Sequence, residues 1–290
     1  MRVLSRHKVS TPLFLALLVG ISGTARAAVR LESFALESEY QNGSQEIRIL
    51  LPDDYQRTKE YRVLYVLPVE RGFESKFGDG LGELQKMDAH NRYDLIIVRM
   101  GFEKEPWYGD HPDNPKIRQA SYLKEFVVPF VEGRYSTPGT REGRLLFGFS
   151  KSGWGAFSLI MRDPGFYGYA AAWDAPLMFE RCHLGMERIF GTDSNLAAFR
   201  PDLLIRKNPG PFRGKNRLVL AGETLWGRLI KAPDGGSHTA GAHRLLEAMH
   251  IPHTYLDSLP EPHRWDESWM APTLEALMEL CSEKEGDSGR

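Results

Sequence analysis

Three short, almost uninterrupted apolar runs constrain this chain more than anything else in it: Tyr61–Leu67, Asp94–Arg99 and Arg144–Phe147. A strand with one wet face alternates apolar and polar residues, whereas a strand covered on both faces reads as a continuous apolar run. Weaker runs of the same kind occupy Tyr167–Trp173 and Arg217–Leu220, and Pro252–Asp257 reads as a last strand. Helical patterns lie between them. Ile117–Val131 carries Tyr122, Phe126 and Phe130 on one stripe, with Pro129 inside expected to end or kink it. Gly153–Met161, His238–His250 (Leu245, Leu246, Met249) and Ser268–Leu280 (Leu274, Leu277, Met278, Leu280) follow the same logic. Strands alternating with helices predict an α/β fold, a mostly parallel sheet with helices on both faces. Glu46–Leu51 alternates and fits an antiparallel start. Residues 176–215 hold two helical patterns, Met178–Phe190 and Asn195–Arg206, with no strand between them, which reads as a small helical insertion capping the sheet edge.

The first 27 residues read as a secretory signal peptide. Arg2, Arg6 and Lys8 make a basic start, Leu13–Ile21 is an apolar core, and Ala25-Arg-Ala27 is a small-x-small cleavage site. A retained membrane anchor fits less well, because Ser22, Gly23, Thr24 and Arg26 interrupt the apolar run. The expectation is a secreted or periplasmic protein whose residues 28–290 form one domain, with a polar tail from Glu283. A formal charge of −1 offers no footprint for nucleic acid and no polybasic membrane patch. Cys182 and Cys281 are the only cysteines; export allows a disulfide between them, and two buried free thiols are the equal alternative.

At Gly148-Phe-Ser-Lys-Ser-Gly153 the third apolar run stops and a helix begins within a few residues. A serine held on so sharp a strand-to-helix turn takes a strained backbone, and the residues two before and two after it must be small. Gly148 and Ser152 satisfy this around Ser150, whereas Trp154 disqualifies Ser152 itself. Ser150 is therefore the candidate nucleophile. Its hydroxyl stands at the positive end of the following helix, and the Lys151 N–H is placed to receive a developing oxyanion. The lysine side chain is expected to face solvent. A phosphate cradle fits less well, since no Gly-Lys-Ser/Thr follows the loop.

Serine needs a base. In strand-elbow-helix hydrolases the chain order is serine, acid, histidine. His263, in the loop Pro260–Asp266 after the last strand, is the candidate. The other histidines read as structural or surface residues, including His243 on a helix and His253 beside the last strand. No His-Glu-x-x-His or paired-cysteine spacing supports a metal site, and no metal or cofactor is expected. For the acid, Glu223 stands just past the Arg217–Leu220 strand, with Asp234 second and Asp174 third. The second oxyanion donor should come from Val69 or Glu70, since Pro68 has no N–H. Trp107, Tyr108, His111 and Trp173 are candidates for the substrate pocket, with a packed surface loop the equal reading for Trp107 to His111.

Gly148–Gly155, Pro68-Val-Glu70, the Asn114–Tyr135 segment and His263-Arg-Trp265 together resemble the "Putative esterase" family of α/β-hydrolases. That family embraces enterochelin esterases, S-formylglutathione hydrolases, feruloyl and acetylxylan esterases and the antigen 85 mycolyltransferases. The resemblance spans residues 44–282 and implies an α/β-hydrolase fold and a Ser-acid-His hydrolase without metal or organic cofactor. Ser150 and His263 match the family's nucleophile and base, and Glu223 its acid more loosely. Ser152 in place of glycine and the lack of Asp directly after Gly222 are the departures. The expected reaction is hydrolysis of a small or carbohydrate-linked acyl ester. An acyltransferase with the same residues, and a non-catalytic ligand-binding relic of the fold, are the alternatives.

Overall fold

The structure is a computed structural model, and it describes residues 30–71, 76–222, 231–257, 259 and 262–282. Residues 1–27, read above as a signal peptide, and the tail from Glu283 lie outside the described residues. Eight strands form one sheet in the order β1-β2-β4-β3-β5-β6-β7-β8. They are β1 Arg30–Glu37, β2 Ser44–Leu51, β3 Arg62–Val66, β4 Leu95–Met100, β5 Arg144–Phe149, β6 Tyr169–Trp173, β7 Leu218–Ala221 and β8 Thr254–Leu256. Only β1 and β2 run antiparallel to their neighbours; from β4 to β8 every pairing is parallel.

The continuous apolar runs are continuous because both faces are covered. Val63 and Tyr65 of β3, Ile96 and Val98 of β4 and Leu146 of β5 join one core with Trp154, Phe157 and Ile160. Leu64, Val66, Leu95, Ile97, Leu145 and Phe147, one residue out of phase, join the other with Trp269, Leu274 and Leu277. Helix Ser150–Arg162 covers the first face and helix Glu267–Ser282 the second. β1, with its exposed and half-buried residues, is an edge strand that the apolar pattern did not delimit.

Two expectations change in detail. Pro129 does not end its helix. A π-helical stretch, Tyr122–Val127, precedes it, and Pro129 falls in the first turn of Val128–Glu132, where its missing N–H needs no partner. The insertion forms four short helices between Glu187 and Arg213, and it packs on the helix Ser150–Arg162 rather than only on the sheet edge. Phe190, Leu196, Phe199 and Ile205 are buried there, and Ser158 donates a 2.7 Å hydrogen bond to the Phe199 carbonyl. Cys182 and Cys281 are free thiols. They pack against opposite cores, one on each face of the sheet, so they are not a disulfide pair. Burial pushes each thiol up to about 12, with Asp193 adding to the effect at Cys182. No described helix is long and apolar enough to cross a membrane.

Candidate active site

β5 sits near the middle of the sheet, and its end delivers Ser150 with φ of +52°. That left-handed backbone is costly for a non-glycine residue. The surrounding sequence leaves the chain little choice. A Cβ on Gly148 would lie 2.5 Å from the Ser152 carbonyl, and one on Gly153 would lie 2.8 Å from the Ala175 side chain. Ser152 does more than fit. Its fully buried hydroxyl accepts from the Phe149 N–H at 3.0 Å and lies 2.9 Å from the Phe149 carbonyl, to which it donates. The hydroxyl staples the turn across the very residue that precedes the nucleophile, so the departure from glycine supplies a partner to buried backbone.

β6 lies beside β5, and Phe149 pairs in register with Trp173. Ser150 and Asp174 are thus the first residues off two neighbouring strands. Both have positive φ, +52° and +41°. The Asp174 N–H donates to the Ala221 carbonyl of β7 at 2.8 Å, which fixes where its side chain starts. His263 arrives from beyond β8. Its Nδ1 lies 2.8 Å from Asp174 Oδ2, and its Nε2 lies 3.2 Å from Ser150 Oγ. A carboxylate only accepts, so Nδ1 carries the proton and Nε2 is left as the acceptor for the Ser150 hydroxyl. Ser150, Asp174 and His263 are all nearly enclosed; the histidine and aspartate side chains are 7% and 3% exposed.

The histidine loop is held at several points. Trp265 N–H donates to the Phe77 carbonyl at 2.7 Å, and the Trp269 indole donates to the Arg264 carbonyl at 2.6 Å. Gly80 exists to admit Trp265, since a Cβ there would lie 2.8 Å from the indole. Phe77, Phe149 and Trp173 surround the imidazole with ring centroids 5.2–6.0 Å away.

The carboxylates and aromatics named from the sequence are distributed differently from the expectation. Glu223 lies outside the described residues. Asp234 is exposed and ion-paired with Arg244. Asp174, ranked third, stands 2.8 Å from the His263 imidazole at the end of β6, the strand beside the elbow strand. Trp107 and Tyr108 are fully buried and do not form an exposed pocket wall. Trp107 packs edge-on to Trp154 at 5.9 Å. Trp173 is buried beneath His263, stacked on Trp269 at 4.8 Å. His111 lines a separate cavity with Arg118, Arg162 and Asn195. Arg162 ends the helix that Ser150 begins, ~18 Å along its axis at 1.5 Å per residue. Lys151 does not extend into solvent: its Nζ is 2.7 Å from Glu105 Oε2 and lies over the Trp107 ring.

Tyr108 acquires another position in the architecture. Its ring rests on Gly155, where a Cβ would approach to 2.1 Å, and its hydroxyl donates a 2.6 Å hydrogen bond to the Pro68 carbonyl. β3 and β5 are neighbours, and the Leu67 N–H donates to Phe147 at 2.9 Å. The loop from Pro68 to Glu70 therefore leaves the sheet beside the elbow, with its first carbonyl pinned by a phenol.

A parallel sheet with a serine on a strained strand-helix turn is the α/β-hydrolase architecture, and solved structures bear this out. A ferulic acid esterase superposes with a TM-score of 0.68 at 16% identity, over 88% of this chain and 99% of the other. An S-formylglutathione hydrolase from Agrobacterium tumefaciens gives 0.69 at 14% identity, over 90% and 99%. MPT51 from Mycobacterium tuberculosis gives 0.60 at 14% identity, over 88% and 98%. No curated protein matches the sequence. The family described as "Putative esterase" matches residues 38–254, and the chain belongs to that family. It is a serine esterase.

Proposed function

We propose that Ser150, His263 and Asp174 are the catalytic triad of a carboxylic-ester hydrolase formed by residues 28–290. The observation that carries this reading is the pair of contacts from one imidazole, 3.2 Å to the serine oxygen and 2.8 Å to a buried carboxylate. Ser150 Oγ attacks the ester carbonyl while Nε2 of His263 takes its proton. Asp174 keeps the imidazole in the accepting tautomer and stabilises the imidazolium that forms. Collapse of the tetrahedral intermediate expels the alcohol, which takes the proton from Nε2. Water then repeats the sequence on the acyl-enzyme and releases the acid. The oxyanion is held by the Lys151 N–H at the helix start and by Val69 or Glu70 from the pinned loop. We assign as substrate a small or carbohydrate-linked acyl ester met outside the cytoplasm, a reading supported by the basic-apolar-small pattern of residues 1–27 and by the ferulic acid esterase neighbours.

A fluorophosphonate probe, followed by peptide mapping, tests the assignment. The expected result is one adduct on the Gly148–Gly153 peptide, at Ser150, formed in step with loss of p-nitrophenyl acetate hydrolysis. An adduct on another serine, or inactivation without one, overturns it. Added acceptor alcohols separate hydrolysis from acyl transfer by the products formed.

Tyr108 gives a second test away from the reacting atoms. Tyr108→Phe removes the hydroxyl from a buried carbonyl, which costs about 1–3 kcal/mol of stability. The freed loop is expected to cost roughly tenfold or more in kcat with KM little changed, because displacing a donor by about 1 Å weakens a contact made in the transition state. Thermal unfolding and steady-state kinetics read the two effects separately.

A further inference from the structure

Between β7 and the His263 loop, the sequence leaves two histidines and a glutamate that the proposed esterase reaction does not use. His243 and Glu247 lie one turn apart on the helix His238–Ala248, so they share a face. The helix closes at Met249, whose N–H bonds to Leu245, and Ile251 bonds back to Leu246 at 2.9 Å. That tight return, through His250 at φ of +53°, brings His253 back beside the helix just before β8. One ligand atom from each of His243, Glu247 and His253 lies within 4.8 Å of the others.

The hydrogen bonds define the protonation. His253 Nδ1 is 2.8 Å from the Ile251 carbonyl, which only accepts, so that nitrogen carries the proton. The Nε2 of His253 therefore holds a lone pair, and it faces Nδ1 of His243 at 2.8 Å. An imidazole whose far N–H is anchored on a backbone carbonyl is the usual outer-shell arrangement of a metal-binding histidine. The His243 ring is itself fixed, stacked on Tyr255 at 4.2 Å and 15°.

We propose that His243, His253 and Glu247 form a binding site for a divalent transition ion of the zinc class, clamping the end of this helix to the start of β8. Two imidazole nitrogens and one carboxylate suit a borderline ion better than calcium or magnesium. Four-coordinate zinc, with bonds of about 2.0–2.1 Å, holds its ligand atoms about 3.3 Å apart. The present 2.8 Å contact between the rings has to open by about half an ångström, and the proton on His243 Nδ1 moves to its other nitrogen as the metal takes its place. Glu247 is exposed, so a fourth position faces solvent. The clamp is structural: β8 begins here and its far end leads into the His263 loop, but the ion touches no reacting group.

Untagged protein, stripped with chelator, tests the site by titration calorimetry and thermal unfolding with Zn2+, and by visible absorption with Co2+. The expected result is one equivalent bound and a four-coordinate cobalt spectrum. The unfolding midpoint should rise by about 5 °C or more at a hundredfold excess over Kd. His253→Ala should weaken binding at least about 100-fold, beyond the cost of losing an outer-shell partner. Glu247→Gln, at an exposed position that keeps the fold, should weaken it at least about tenfold, whereas His183→Ala should leave it unchanged. Ester hydrolysis should survive in all three variants. Absence of saturable one-equivalent binding, or parental affinity in both His253→Ala and Glu247→Gln, overturns the proposal without touching the esterase assignment.

Discussion

Ser150→Ala is expected to lower kcat by about 10⁴–10⁶-fold and to abolish fluorophosphonate labelling, with the fold intact. The size follows from what is lost. Without the oxygen there is no acyl-enzyme, and only the oxyanion donors and substrate positioning remain to help water. Alanine also keeps a Cβ at a backbone φ of +52°, so the elbow retains its geometry and the loss is chemical. The neighbouring hydroxyl supplies the control. Ser152→Gly removes a staple on Phe149, and it should cost about 1–3 kcal/mol of stability while keeping turnover within roughly tenfold. Equal losses in the two variants would move the nucleophile away from Ser150.

Asp174→Asn is expected to cost about 10⁴-fold in kcat, with KM nearly unchanged. The amide fits the space but presents its NH₂ to Nδ1. The imidazole then carries its proton on Nε2, where it can no longer accept from the serine. Glu223→Gln is the informative partner, because it tests the carboxylate that the sequence favoured. Parental activity in that variant, beside the collapse in Asp174→Asn, assigns the acid; the opposite pattern withdraws Asp174 from the triad. Unfolding curves accompany both, since Asp174 is buried and its bond to His263 also stabilises the fold.

Periodicity carried the sheet well. The runs at Tyr61–Leu67, Asp94–Arg99 and Arg144–Phe147 became β3, β4 and β5 because burial on both faces leaves no polar positions. β1 was not delimited, because it is exposed on one face and only half-buried on the other, so its apolar residues do not form a continuous run. The elbow and the histidine loop were legible because steric rules act over a few adjacent residues. The acid was less so, since Glu223, Asp234 and Asp174 end or follow different strands, and which of them meets His263 depends on long-range packing that is not written locally. Trp107 and Tyr108 left a pocket wall and a packed loop equally open for a related reason. Aromatics beside glycine and proline fit either reading, and the Gly155 notch that receives the Tyr108 ring lies 47 positions downstream. His243 and His253 each looked ordinary alone, and only the turn between them brings their nitrogens together.

The in-register pairing of Phe149 with Trp173 bears on how this enzyme can diversify. Ser150 and Asp174 each follow one member of a paired rung, so their separation is set by the spacing between strands, about 4.8 Å, and not by any excursion of chain. On the proposed triad, the carboxylate comes from the end of β6 and not from the segment that follows β7. Sequences that vary after β7 would then keep the proposed relay, provided the register between β5 and β6 is kept.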